Sequence, residues 1–260
     1  MADDPNKEEK NDFVTIQEAV AKDREEAEKK RKRQQGNGIR GVLIFLGFLA
    51  VLVCCYEIYA WKNEFVFTER LSEPILIIND ETVDLQEISY YIMKVERQGG
   101  DYADIYDSEH SNRYWNLYMN KGDGENSGYV SGIAKDTIIT YCIRDHIYAM
   151  EAEKNGFTLP EEIREEIIYD AKETFANLSR REREMFQWEE EEFVELVLSE
   201  QLAYYYMAEL AESYDRGTLQ AMVLQYDVGG EYYENLKASY SIWVNEKIWK
   251  RVKVGFLTIN

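Results

Sequence analysis

The chain has 260 residues, a formal charge of −20 at pH 7 and three cysteines. So large an acidic excess repels a phosphate backbone, which argues against nucleic acid as a partner. Cys54 and Cys55 are adjacent and Cys142 stands apart, so the cysteines form neither a disulfide framework nor a zinc site.

Residues 1–40 carry charges of both signs and few apolar side chains. The stretch from Thr15 to Gln35 is compatible with a helix, and Glu25–Lys29 and Glu26–Lys30 have the (i, i+4) spacing of helical ion pairs. We expect a charged cytoplasmic tail. It is either a solvated helix or a docking segment for a cytoplasmic partner.

The most apolar segment is Gly41 to Trp61, "GVLIFLGFLAVLVCCYEIYAW". As a helix it would extend roughly 30 Å, the thickness of the hydrocarbon core of a bilayer. The cluster "KKRKR" at 29–33 precedes it, which predicts a single-pass signal-anchor helix with the N-terminus in the cytoplasm. A lipid-modified Cys54 and a cleaved signal peptide are alternatives, but the bulky Val53 fits both poorly.

After a linker at 62–73, residues 74–260 are predicted to form an extracytoplasmic domain. Pro74 to Ile78 is typical of a strand, and "NDET" of a turn. Asp84 and Glu87 have the spacing of a helix cap. The helix that follows is expected to end at Arg97–Gly100, where glycines interrupt the pattern.

Residues 99–128 are predicted to be polar and irregular, with Tyr114 and Trp115 as anchors. A faint calcium-loop pattern begins at Asp123 but places Ala134 at the twelfth position, where a carboxylate is needed. A solvated loop without metal is therefore the interpretation.

A long helix is predicted from Tyr129 to Lys154, and Asn155–Gly156 is a typical helix-ending pair. Thr158 and Glu161 then have the spacing of a capping box for the next helix. The two helices should meet in a sharp corner. That second helix is expected to break at Leu178–Ser179.

A further helix is predicted from Glu189 to Glu212, with apolar side chains on more than one face, which is typical of a central helix. The C-terminal part begins helical at Tyr232 and is expected to turn β-like after Ser239. The predicted domain is therefore mainly α, with a few short strands at its start and C-terminus.

No phosphate-binding loop, zinc motif, nucleophile elbow or Cys-x-x-Cys pair occurs. The acidic run at 189–192 is typical of a solvated helix start, His146 is interpreted as a structural residue and Cys142 as a core residue. The sequence predicts no catalytic residue, no metal and no cofactor.

The order of "IINDETVDLQEISYYI", an aromatic "YW" pair, a long helix ending "AEKNGFTLPEEI" and a Tyr-rich helix resembles the N-terminal chaperone region of SurA/PrsA-type extracytoplasmic foldases. The corner is carried by Ala152, Glu153, Gly156, Phe157, Thr158 and Glu161. The similarity covers roughly residues 74–212 and part of the C-terminus. It implies a helical clamp with a groove for extended polypeptide behind the corner.

The chain differs from the family in one respect. Members of the family often carry a parvulin-type prolyl isomerase domain after the chaperone helices. Too little chain lies between residue 211 and the closing segment for a separate domain. No prolyl isomerase activity is therefore expected.

Aromatic and Met side chains on the helices are the candidates for polypeptide contacts, because such side chains make adaptable interactions. Core packing is the alternative role for the same residues. The candidates are Tyr90, Tyr91, Met93, Tyr204, Tyr205, Tyr206 and Met207.

The function predicted from the sequence is a membrane-anchored extracytoplasmic chaperone that holds unfolded or newly exported polypeptides. The alternative is a bitopic assembly or sensor protein whose outer helical domain binds one specific folded partner. Deleting residues 1–28 should spare a chaperone and cripple a signalling scaffold.

Overall fold

A computed structural model describes residues 45–56, 65–107, 109–110, 112–120, 128–212, 220 and 222–258, together with 21–22, 24–25 and 28–30. The chain divides into two units, Met1–Glu64 and Phe65–Asn260. In the first unit, Lys29 Nζ lies 3.9 Å from a carboxylate oxygen of Glu25, so this predicted pair forms. The similar pair with Glu26 lies outside the described residues.

The first unit contains helix α1, at residues 45–56, which covers the middle of the predicted membrane span. Residues 41–44 and 57–61 lie outside the described part. Among the described residues, no helix is both long enough and apolar enough to cross a membrane. On this finding the predicted transmembrane helix is wrong; the described part of α1, residues 45–56, rises about 18 Å.

The second unit opens with a three-stranded antiparallel sheet. A 3-10 turn, Phe67–Glu69, precedes β1 (Pro74–Ile78); β2 (Glu81–Asp84) pairs with one edge of β1, and a C-terminal strand, Ile242–Val244, pairs with the other. The predicted first strand and turn are confirmed. Asn79 adopts a positive φ of 52° in the turn, and its side chain accepts a hydrogen bond from the Ser241 backbone at 2.8 Å.

Helix α2 (Leu85–Tyr106) begins as predicted but ends later. The Asp84 side chain accepts a hydrogen bond from the backbone N–H of Glu87 at 2.9 Å. Gly99 does not end the helix. The indole ring of Trp115, in the short helix α3 (Asn112–Trp115), lies so close that a Cβ on Gly99 would sit 2.3 Å from it. Gly99 therefore permits close packing, and the predicted irregular segment is helical as far as residue 106.

After α3, a two-stranded antiparallel ribbon forms from β3 (Tyr118–Met119) and β4 (Gly128–Tyr129). Of the calcium-loop pattern that begins at Asp123, the first five positions, 123–127, lie outside the described residues, and Ala134 at the twelfth position lies in the helix that follows β4. β4 leads directly into the long helix α4 (Val130–Lys154).

The predicted corner after α4 is confirmed. Gly156 has φ +69°, its N–H donates to the carbonyl of Glu153 at 3.0 Å, and the N–H of Phe157 donates to the carbonyl of Ala152 at 2.8 Å. This pair of bonds is the Schellman motif, which a residue free to adopt positive φ favours. The predicted cap at Thr158 is wrong: α5 (Glu161–Ala176) follows Pro160 with no side-chain cap.

Two more helices complete the bundle. Helix α6 (Arg180–Phe186) begins with a capping box between Ser179 and Glu182, and α7 (Glu190–Glu212) follows the predicted bounds closely. Helix α7 packs against both α4 and α5, while α4 also packs against α2. The largest fully buried side chains include Ile88, Ile92, Trp115, Ile138, Tyr148, Phe186, Phe193 and Tyr233.

The C-terminal part contributes both to the three-stranded sheet and to the helical bundle. A π-helical turn (Met222–Tyr226) and α8 (Glu231–Lys237) precede β5 (Ile242–Val244) and α9 (Glu246–Trp249). The β-like tail predicted after Ser239 is wrong beyond β5. Residues 250–258 contain no strand, and the fully buried carboxylate of Glu96 accepts backbone N–H bonds from Gly255, from Leu257 at 3.2 Å and from Thr258 at 2.7 Å.

Candidate functional site

The first group of predicted contact residues lies in the core. Tyr90, Tyr91 and Met93 on α2 expose only 5%, 7% and 2% of their surface. The Tyr90 hydroxyl donates to the carboxylate of Glu200, and the Tyr90 ring packs edge-on against Phe193. Burial raises the pKa of both tyrosines. These three side chains contribute packing, the alternative considered for them.

The second predicted group is divided by the periodicity of α7. Tyr206 and Met207 are buried, Tyr205 is half-buried and Tyr204 is exposed. Tyr206 contacts Phe157, with ring centroids 5.4 Å apart. Phe157 comes directly after the corner glycine, so these rings occupy the space behind the corner. Two of the predicted contact residues, Tyr206 and Met207, therefore pack inside the protein.

A different set of apolar side chains reaches solvent at the C-terminal end of α2. Tyr102, Ile105 and Tyr106 expose 55%, 83% and 54% of their surface. Tyr102 and Tyr106 are four residues apart and so stand on one face of the helix. Ala103, on another side of the helix, is fully buried. One side of the helix is therefore packed against the domain, and another side faces solvent.

The β3–β4 ribbon adds three exposed side chains: Tyr118, Met119 and Tyr129. The rings of Tyr118 and Tyr129 meet edge-on across the two strands at 5.6 Å. Tyr114 of α3 lies between the two parts along the chain: its ring lies 6.4 Å from that of Tyr106, and two residues separate α3 from β3. We call this set the aromatic surface; it consists of Tyr102, Ile105, Tyr106, Tyr118, Met119 and Tyr129.

Trp115 fixes the base of the aromatic surface. It is 1% exposed and lies between two glycines, because a Cβ on Gly99 or Gly255 would approach its ring to 2.3 or 2.4 Å. Asp107 ends α2: its carboxylate accepts backbone N–H bonds from Glu109 and His110 and pairs with Arg113 at 3.1 Å. The surface therefore rests on an ordered base.

The aromatic surface lies in a region that the sequence predicted to be a polar loop, so the site was missed. The signal that would have found it is the tyrosine repeat at 102, 106 and 114, combined with helix continuation through Gly99 and Gly100. That continuation depends on Trp115, sixteen residues beyond Gly99, so local patterns could not reveal it.

A cluster of polar side chains lies between α2 and α4. The Nε2 atom of His146 is 3.3 Å from a carboxylate oxygen of Glu87, and His146 is one helical turn from Cys142. Burial raises the pKa of the fully buried Cys142 thiol. A nucleophilic thiol needs a lowered pKa and access to substrate, so this trio has a structural role.

An open cavity of about 390 Å³ is lined by Arg97, Asp170, Glu173, Thr174 and Asn177. Its lining is polar, and Arg97 is held by the carboxylate of Glu182 at 2.7 and 3.0 Å. The cavity therefore does not offer the apolar contacts that an unfolded chain needs. In the described part of the chain, no three His, Cys, Asp or Glu side chains are grouped to hold a metal ion.

Of the features above, the aromatic surface is the best candidate for binding a macromolecule. Its side chains are apolar, exposed and mounted on a packed base. Comparison of the chain with protein-family models, curated proteins and solved structures finds no match.

Proposed function

We propose that the domain formed by residues 65–258 is a chaperone-type module that binds unfolded or newly exported polypeptides through the aromatic surface, without isomerising prolines. The observation that supports this most strongly is the exposure of Tyr102, Ile105 and Tyr106 together on one end of α2. An extracytoplasmic location and a relation to SurA/PrsA-type foldases belong to the same proposal and rest on the sequence resemblance.

The physical argument is one of burial. Exposed tyrosine and isoleucine side chains each gain about 1–2 kcal/mol when a partner covers them. Tyrosine loses little side-chain entropy on binding and tolerates varied neighbours, which suits clients of varied sequence. Among the described residues, β3 and β4 pair only with each other, so an extended chain can add to an edge of this ribbon. Several weak contacts of this kind give reversible binding.

The experiment compares aggregation of a chemically unfolded substrate with and without the full chain. We expect suppression at molar excess, and loss of most of it in the triple variant Tyr102→Ser, Ile105→Ser, Tyr106→Ser. The matched control is Tyr169→Ser, because Tyr169 on α5 is 69% exposed and lies outside the aromatic surface. No suppression by the wild type, or equal loss in the control, would overturn the proposal.

The second candidate is an assembly role, in which the same surface docks on one folded partner. Its support is that tyrosines on an ordered base are typical of interface hot spots. The two functions differ in which state of the partner protein is bound. A chaperone binds the unfolded form of many proteins, and an assembly factor binds one protein in its folded form. A refolding assay limited by proline isomerisation should show no acceleration in either case.

A further inference from the structure

The aromatic surface has an acidic side, formed by Asp101 and Asp104 on α2. Both residues are exposed. Asp101 and Ile105 are four residues apart and stand on the same face, with Asp104 next to them around the helix. Negative charge therefore lies directly beside Ile105, the most exposed of the domain's large apolar side chains that the structure describes.

The carboxylates of Asp101 and Asp104 have no partner. Within the described residues, neither side chain takes part in a hydrogen bond or ion pair, whereas the carboxylate of Asp107 accepts hydrogen bonds from two backbone N–H groups and from the guanidinium of Arg113. In the bundle, Glu182 and Glu200 are likewise paired, with Arg97 and Lys94. Free carboxylates on the edge of an apolar face are available to a binding partner.

The tyrosine rings of the surface are available to a cation as well. Elsewhere in the domain, cationic groups of the chain lie over tyrosine rings: Lys94 over Tyr90, Arg144 over Tyr141 and Lys237 over Tyr233. No described cationic side chain lies over Tyr102 or Tyr106 in this way. A partner that carries Lys or Arg can occupy these positions.

Resting on the proposed function, we infer that the aromatic surface selects polypeptide segments in which Lys or Arg alternates with aromatic or aliphatic residues. The apolar side chains of such a segment cover Ile105 and the tyrosine rings. Its cationic groups meet Asp101 and Asp104. Acidic segments are rejected, because their carboxylates would approach unpaired carboxylates of the same sign.

Three synthetic peptides test this inference. They share the same Leu, Phe and Tyr residues at alternating positions and differ only in their spacers, which are Lys, Ser or Glu. Binding to the full chain is measured by fluorescence anisotropy at low and high salt. We expect the Lys peptide to bind about five- to tenfold more tightly than the Ser peptide, the size expected of two exposed ion pairs. The Glu peptide should bind most weakly, and the differences should shrink at high salt.

The double variant Asp101→Asn, Asp104→Asn separates the effect of these two carboxylates from the effect of the overall charge of −20. It should reduce the preference for Lys to within about twofold and leave the affinity for the Ser peptide unchanged. The control is Glu165→Gln, Glu166→Gln, which removes the same charge from exposed positions on α5 and should retain the preference.

Each outcome is decisive. Equal affinity for the three peptides, or a Lys preference that survives Asp101→Asn, Asp104→Asn, overturns the inference and leaves the proposed function standing. Failure of all three peptides to bind overturns the proposed function and the inference together.

Discussion

Tyrosines occur in two contrasting regions of this domain. In the bundle, Tyr90 and Tyr148 are buried, and their hydroxyls donate to Glu200 and to the carbonyl of Tyr226. At the end of α2, Tyr102 and Tyr106 expose about half of their surface and, within the described residues, have no hydrogen-bond partner. The same residue type therefore stabilises one region and leaves the other ready for a partner.

The greatest effect is expected at the base between the two regions. Trp115→Ala should lower the free energy of unfolding by about 3–5 kcal/mol, because it empties the space between Gly99 and Gly255. Urea unfolding followed by circular dichroism measures this. An effect below about 1 kcal/mol would mean that the indole does not hold the aromatic surface in place.

The carboxylate of Glu96 should give the next largest effect. Glu96→Gln replaces one acceptor oxygen by an amide that cannot accept the backbone N–H groups of residues 255–258. We expect a loss of about 2–3 kcal/mol and faster hydrogen exchange in that segment, measured by mass spectrometry. Glu165→Gln, an exposed change of the same chemistry, is the control and should have no measurable effect.

A matched pair of hydroxyl deletions tests the difference between the two groups of tyrosines. Tyr90→Phe should cost about 1 kcal/mol of stability, because it removes a donor to Glu200 in a buried setting. Tyr102→Phe should leave stability unchanged, since Tyr102 lies at the exposed surface. Equal effects in thermal unfolding would contradict the assignment of Tyr90 to the core and Tyr102 to the surface.

A smaller, pH-dependent effect involves His146. Burial alone would lower its pKa, but a hydrogen bond to the Cys142 sulfur and the carboxylate of Glu87, 3.3 Å from Nε2, favour the protonated imidazole and raise the pKa well above its usual value of 6.5. A raised pKa in the folded state gives stability that is fully present below about pH 6.5 and is lost as pH rises through the folded value. Urea unfolding between pH 6 and 9 should show this decline in the wild type and a flatter profile in His146→Gln.

Local signals predicted the parts of the fold that depend on neighbouring residues. The Asp84 cap and the corner at Gly156 are set by bonds across three to five residues, and both were predicted correctly. The capping box at Ser179 is equally local and could have been predicted from the same spacing. The predicted cap at Thr158 was wrong because the residue that precedes the first turn of α5 is Pro160, two positions later.

Contacts between distant residues set the features that were missed from the sequence. Gly99 looks like a helix end until Trp115 is placed over it, and the buried Glu96 looks like a surface residue until residues 255–258 fold onto it. Which side chains at positions 204–207 are buried depends on which neighbours α7 meets. For these reasons the mainly α class of the domain was predictable, and the location of the candidate site was not.

The main proposal is that non-native chains bind at the end of α2 rather than behind the corner. A photo-cross-linking amino acid placed in the full chain at position 106, and separately at 169 and 204, tests it with a permanently unfolded client. We expect strong cross-linking at 106 and little at 169 and 204. Cross-linking at 204 without any at 106, or equal yields at all three positions, would contradict the proposal.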